Sequence, residues 1–195
     1  VGEGRDDELR DYLNQIDQSS QYLLSLLNNI MDMSKIESSK YEINAKPFNI
    51  SSVLDEVYSV FGATMSTKGI RLTINSDAVT SPDVIGDEIS LRKILNNLLS
   101  NANKFTRAGG RVTIFASQKQ MNEKSSILHL EVADTGVGIS EEFIGHLFEP
   151  YTQEMSENGG RAAGSGLGMA ICKSMIDLQG GSISVRSRLG EGTTF

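Results

Sequence analysis

The stretch Gly159-Gly160-Arg161-Ala162-Ala163-Gly164-Ser165-Gly166-Leu167-Gly168-Met169-Ala170-Ile171-Cys172 passes from a polar, glycine-dense loop into an apolar segment patterned as a helix. Glycines at 164, 166 and 168 remove side chains that would keep an anion from the main chain, and the helix beyond offers unpaired N–H groups at its positive dipole end. That is a phosphate seat. A glycine cluster ahead of a helix also serves as an ordinary turn, so the segment gains meaning only beside others. Two familiar phosphate motifs are excluded. Ser165 stands where a Walker loop needs lysine, and Gly164, Gly166 and Gly168 run Gly-x-Gly-x-Gly behind a polar loop, whereas a dinucleotide fingerprint needs Gly-x-Gly-x-x-Gly directly after a strand.

The 195 residues, 38% apolar and 22% charged, suffice for one or two globular domains. No apolar run approaches the roughly 20 residues of a membrane span, and Val1 to Asp7 lacks the parts of a signal peptide. The chain is cytosolic in character, which also suits the soluble end of a membrane-anchored protein. A net charge of −7 argues against a nucleic-acid surface, which needs a basic stripe, but permits a nucleotide held by a metal ion and local N–H groups. The single cysteine, Cys172, excludes an internal disulfide framework and reads as core. The two separated histidines, His129 and His146, argue against a histidine metal site.

Working outward, Leu9, Leu13, Ile16, Ser20, Leu23, Leu27, Ile30 and Ser34 alternate steps of four and three, the seam of a long helix that packs on another helix. The pattern stops after Lys40, which predicts a domain boundary, and 41–46 alternates as a short strand before Pro47. A helix capped by Asn49 or Ser51 runs to about Lys68-Gly69, Ile70 to Ile74 is a strand, and Ser76 to Pro82 a loop. Asp87 to Phe105 is the second long helix. Asn97, Asn101 and Lys104 fall on one face of it, and asparagine is a poor helix former, so their presence asks for a reason. A carbonyl oxygen such as that of Asn101 can ligate Mg²⁺, and Lys104 can meet a phosphate; a polar face in water has the same pattern.

Strands at 111–116 and 127–132 follow, joined by a polar loop from Gln118 to Ser126. The second delivers Asp134-Thr135-Gly136-Val137-Gly138, a carboxylate placed to accept from a ligand amine, or an ordinary Asx turn. A short helix from Ser140 stops at Phe148-Glu149-Pro150, and 151–163 has the polarity of a lid over a ligand. A helix from Leu167 to Leu178 and strands at 183–186 and from Gly190 complete the chain.

The ordered set Asn97-Leu98-Leu99-Ser100-Asn101-Ala102-Asn103-Lys104-Phe105, Asp134-Thr135-Gly136-Val137-Gly138, Phe148-Glu149-Pro150, Gly164-Ser165-Gly166-Leu167-Gly168 and Gly190-Glu191-Gly192-Thr193 closely resembles the N, G1, F, G2 and G3 boxes of sensor histidine kinases. The resemblance implies an α+β fold: the two-layer Bergerat (GHKL) sandwich of helices on a mixed, mostly antiparallel sheet, preceded by one long coiled-coil helix. Residues 41–195 would form the catalytic ATP-binding domain, truncated in its last strand, and 1–40 the second helix of a dimerisation and phosphotransfer hairpin. It further implies that Asn101 ligates the Mg²⁺ bridging the ATP phosphates, with Asn97 supporting it, and that Lys104 contacts phosphate. Phe105 would lie against adenine, and Asp134 would accept from the adenine amino group. Thr193 would share that contact, while Gly136 and Gly138 allow close approach. Gly164, Gly166, Leu167 and Gly168 would line the phosphates. Asn97 and Lys104 are the implied catalytic pair.

Implied partners are ATP or ADP, the phosphoacceptor hairpin of the same or a dimer-mate chain, and a response-regulator receiver domain. The full-length protein would be a homodimer without nucleic acid, its ATP-binding part on the cytoplasmic side of a membrane-anchored sensor. Two departures matter. The related gyrase and heat-shock ATPases carry a glutamate where Asn97 stands, and asparagine takes no proton at neutral pH, so transfer to an external nucleophile is favoured over hydrolysis. The family's phosphoacceptor histidine has no counterpart before Asp6, so the acceptor would lie on a helix outside this sequence. The other readings are a nucleotide-sensing module that transfers no phosphate and an ATPase of the gyrase type.

Overall fold

The computed structural model describes residues 3–154 and 165–195. They divide into two compact units, one ending at Tyr41 and the other running from Glu42 to Phe195.

The first unit is one helix, α1 (Glu3–Glu37). Leu9, Leu13, Ile16, Leu23, Leu27 and Ile30 of its seam are each more than half exposed. The helix ends through a left-handed residue, Ser39 at φ 54°. The amides of Lys40 and Ser39 bond back to the carbonyls of Lys35 and Ile36, and the Ser38 hydroxyl donates to the Ser34 carbonyl at 2.7 Å, which closes the last turn.

The second unit is a two-layer α+β sandwich. Its elements are β1 (Lys46–Asn49), α2 (Ile50–Thr67), β2 (Arg71–Ala78), β3 (Asp83–Gly86), α3 (Glu88–Phe105), β4 (Arg111–Asn122), β5 (Ser125–Asp134), α4 (Glu141–Ile144), α5 (Gly168–Leu178), β6 (Arg186–Arg188) and β7 (Gly192–Thr194). Five strands form one sheet in the order β2-β4-β5-β7-β6; β2 and β4 run parallel and the other pairs antiparallel. Inward residues of the sheet, Leu72, Val112, Ile114 and Val132, are buried with Val53, Leu54 and Met65 of α2, Leu95 and Leu99 of α3, and Ile171 and Met175 of α5. Each such side chain withdrawn from water stabilises the fold by about 1.5–3 kcal/mol, and together they form its core.

The structure moves several boundaries. The first strand lies at Lys46–Asn49 rather than 41–46, because its partner is β3, with Pro47 opposite Ile85. β3 itself has only four residues, too few to display a period, and β2 runs on to Ala78 into the expected loop. The polar stretch after Gln118 is not a loop. β4 and β5 continue through it as a hairpin whose side chains there are mostly exposed, so polarity marks a solvated ribbon. α4 stops at Ile144, with turns from there towards Pro150. The strand expected at 183–186 is Arg186–Arg188, since pairing with Gly192–Thr194 across the 189–191 turn sets its register.

Candidate functional site

α3 carries the asparagine face. Asp87 caps it: its carboxylate accepts from the Ser90 amide at 3.0 Å, the Ser90 hydroxyl at 2.8 Å and the Asn44 amide at 3.2 Å. Burial raises the affinity of this carboxyl for its proton, but the bonds from Ser90, Asn44 and Ile89 outweigh it and hold the group below the usual range. Ile94, Leu95, Leu98, Leu99 and Ala102 turn to the core, which leaves Asn97 and Asn101, half-buried, and Lys104 on the remaining face.

That face meets the first turns of α5. A Cβ on Gly168 would stand 2.9 Å from Asn97 Oδ1, so glycine here lets the amide lie close against the start of α5 and a larger residue would displace it. Asn97 also hydrogen-bonds the Cys172 thiol, whose burial pushes it up to about 12. Asn101 donates its amide N–H to the Met169 sulfur at 3.4 Å. Among the described residues no side chain caps α5 at Leu167, which is buried, so no cap occupies the N–H groups of its first turn. Just upstream, the Leu167 amide donates to Ser165 Oγ and the Tyr151 amide to the Gly166 carbonyl at 2.9 Å. Gly164 and the expected lid from 155 to 163 lie outside the described residues.

At the end of α3, Lys104 Nζ stands 4.6 Å from the Phe105 ring centroid, and burial depresses the lysine pKa. Phe105 as a whole is 37% exposed. The Phe105 carbonyl accepts from the Val137 amide at 3.3 Å, which joins α3 to the loop that carries Gly136 and Gly138.

Asp134 ends β5. Its Oδ1 accepts the Gly136 amide at 2.8 Å, and Thr193 is its partner in the β5–β7 ladder. Burial raises its pKa, and backbone bonds from Gly136 and Thr193 pull it partly back. Gly192, at φ 110°, passes so near that a Cβ would lie 2.0 Å from the Asp134 carbonyl, and Gly138, at φ 74°, fits against Arg188 in the same manner.

Ser187, which no sequence signal marked, joins these parts. Its hydroxyl donates to the Gly192 carbonyl at 2.9 Å, receives the Ile139 amide at 2.8 Å and lies 2.8 Å from Thr193 Oγ1. With Ser187 already donating to Gly192, Thr193 donates to Ser187 and keeps lone pairs. Asp134 and Thr193 thus form an acceptor pair suited to a ligand amine.

Asn97 is therefore brought together with Gly168, Asn101 with Met169, Phe105 with the Gly136–Gly138 loop, and Asp134 with Thr193. A cavity of about 1800 Å³ opens elsewhere in this unit, beside β1, β3 and the middle of β5. None of the expected site residues lines it, and polar chemistry, not volume, marks the site. Among the described residues no three His, Cys, Asp or Glu side chains cluster as metal ligands, and no helix is long and apolar enough to cross a membrane. A magnesium ion fits Asn101: the amide nitrogen is engaged by sulfur, and the carbonyl oxygen makes no hydrogen bond among the described residues.

The fold agrees with that of known proteins similar to the chain. The profile described as "Histidine kinase-, DNA gyrase B-, and HSP90-like ATPase" matches residues 86–195. The chain belongs to that family. Within it, the ATP-binding domain is of the sensor histidine kinase kind. "Autoinducer 2 sensor kinase/phosphatase LuxQ" of Vibrio parahaemolyticus is 36% identical over 192 residues, covering 96% of this chain and 22% of LuxQ. The crystal structure of full-length ShkA in complex with AMPPNP superposes with a TM-score of 0.77 at 30% identity, covering 96% of this chain and 38% of ShkA. The histidine kinase ThkA in complex with the response regulator TrrA superposes with a TM-score of 0.65 at 23% identity, covering 96% of this chain and 49% of that one, a likeness of fold. The chain thus spans about a fifth of the length of LuxQ.

Proposed function

We propose that this chain is the ATP-binding catalytic region of a two-component sensor histidine kinase, transferring the γ-phosphoryl group of ATP to a histidine on a hairpin helix for relay to a response regulator. The observation that carries the reading is the half-buried carboxylate of Asp134 at the end of β5, with the buried Thr193 opposite it. A carboxylate is acceptor-only, so it selects a ring bearing an exocyclic amine, as adenine does. Phe105 supplies an aromatic face, and Lys104 a positive charge beside it. Gly166 and Gly168 supply main-chain N–H groups at the start of α5 for the phosphates, and the Leu167 amide joins them on exchanging Ser165 Oγ for a phosphate oxygen. Bound Mg²⁺ would neutralise phosphate charge, with Asn101 as its protein ligand.

Phosphoryl transfer passes through a loose transition state and asks mainly for positioning and charge neutralisation. Asn97 offers no base, and Gly168 packs closely against its amide oxygen. The site therefore serves an external nucleophile better than water. α1 is read as the second helix of the dimerisation and phosphotransfer hairpin, its exposed seam answering a partner helix, and a homodimer follows from that reading. The relative's name, a sensor kinase/phosphatase, and the ThkA–TrrA complex support a response-regulator partner.

The test adds the purified chain and radiolabelled ATP to a separate hairpin protein that carries the acceptor histidine. Acid-labile label on that histidine is the expected result. Steady phosphate release without label would favour a gyrase-type ATPase, and binding without either would favour a nucleotide-sensing module.

A further inference from the structure

We propose that Met169 is a positioning residue for Asn101: its sulfur takes the amide N–H and so keeps the amide oxygen turned to the nucleotide-bound cation. The inference rests on the nucleotide reading of the site and names a residue that the reading does not use. An asparagine amide rotated by half a turn exchanges O and NH₂ with almost no change of shape, so its hydrogen-bond partners alone decide the orientation. The partner given to Asn101 is Met169 Sδ at 3.4 Å. A thioether accepts and cannot donate, so this contact is satisfied with NH₂ towards sulfur. The reverse orientation would abandon the sulfur contact and turn NH₂ hydrogens to a divalent cation, which binds oxygen.

The sulfur is itself held in place. Met169 is 8% exposed in the first turn of α5, and that turn is seated on α3 by three further contacts. Cys172 hydrogen-bonds Asn97, its sulfur lies 3.9 Å from the Ile94 carbonyl, and Gly168 packs against Asn97 Oδ1. Helix docking therefore sets the acceptor, and the acceptor sets the amide. Leucine at 169 would fill nearly the same volume without accepting, whereas glutamine would restore an acceptor of similar reach.

The test compares wild type, Met169→Leu and Met169→Gln in two measurements. In the nucleotide-free chain, ¹⁵N relaxation of the Asn101 side-chain amide should report an ordered group in wild type, a mobile one in M169L and an ordered one in M169Q. In titrations with AMPPNP, M169L should lose about three- to tenfold of the affinity gained on adding Mg²⁺, with unchanged affinity in its absence, and M169Q should regain it. An Asn101 amide equally ordered in M169L overturns the proposal, as does an equal loss with and without Mg²⁺, the mark of a packing role. Amide order that depends on Met169 in a chain that takes up no nucleotide would sink the nucleotide reading while supporting the orientation.

Discussion

Asp134 and Thr193 face each other across the β5–β7 ladder, and each is fixed by a third residue: Gly136 donates to Asp134 Oδ1, and Ser187 holds the Thr193 hydroxyl, both at 2.8 Å. Neither side chain has to reorganise to receive an amine. Asp134→Asn should weaken ATP binding about ten- to hundredfold, since the hydrogen bond lost is one to a charged group, worth about 1.5–3 kcal/mol. Calorimetric titration with AMPPNP measures it, and unchanged affinity would remove Asp134 from the site.

The same carboxyl gives stability a pH dependence. Its pKa in the folded chain lies above the ordinary 3.8, so the folded state binds the proton more readily than the unfolded one. Stability from this group is full below 3.8 and is lost as pH rises through the folded pKa. Ligand affinity moves the other way, because the ionised form accepts. D134N should abolish this part of the pH slope, and Tm measured from acid to neutral pH in both chains checks it.

Asp87 has the opposite sign. Its folded pKa is lowered, so its contribution is present above 3.8 and lost as pH falls through the folded value. Asp87→Ala should cost about 1–2 kcal/mol at neutral pH through the lost helix cap, and D87N, which keeps the cap oxygen, should cost less. Urea unfolding of the three chains decides.

Gly190 and Gly192 both have positive φ, but their surroundings differ. A Cβ at 190 meets nothing within 4 Å, whereas one at 192 falls 2.0 Å from the Asp134 carbonyl. Gly190→Ala should cost about 1–2 kcal/mol, the left-handed penalty alone. Gly192→Ala should cost more and abolish nucleotide binding, because the backbone beneath Asp134 must shift. Equal Tm losses for the two would count against the close approach.

Cys172 should be inert. It is fully buried and its thiol is pushed up to about 12, so almost no thiolate exists at neutral pH. Labelling by a thiol reagent should follow unfolding and accelerate with denaturant; rapid labelling of the native chain would contradict the packing of α5 on α3.

The asparagine face was legible because α3 is long and periodic, so Asn97, Asn101 and Lys104 stood out against Leu95 and Leu99. Asp134 was legible as a strand-end carboxylate followed by glycines. β3 was not, having four residues and a pairing with β1 that only the third dimension supplies. The outer half of the β4–β5 hairpin was hidden because both its faces meet solvent, which removes the alternation that marks a strand. Ser187 and Met169 escaped notice for another reason. Their roles arise from contacts with Thr193 and Asn101, six and sixty-eight positions away, and no local pattern encodes either.

The bond from the Tyr151 amide to the Gly166 carbonyl has a consequence for engineering. It closes the chain on itself ahead of α5, so the number of residues threaded between the two positions is uncoupled from the register of the helix that follows. A reporter peptide spliced in there should leave Leu167 and Gly168 where they are, which makes this the natural place to append a probe.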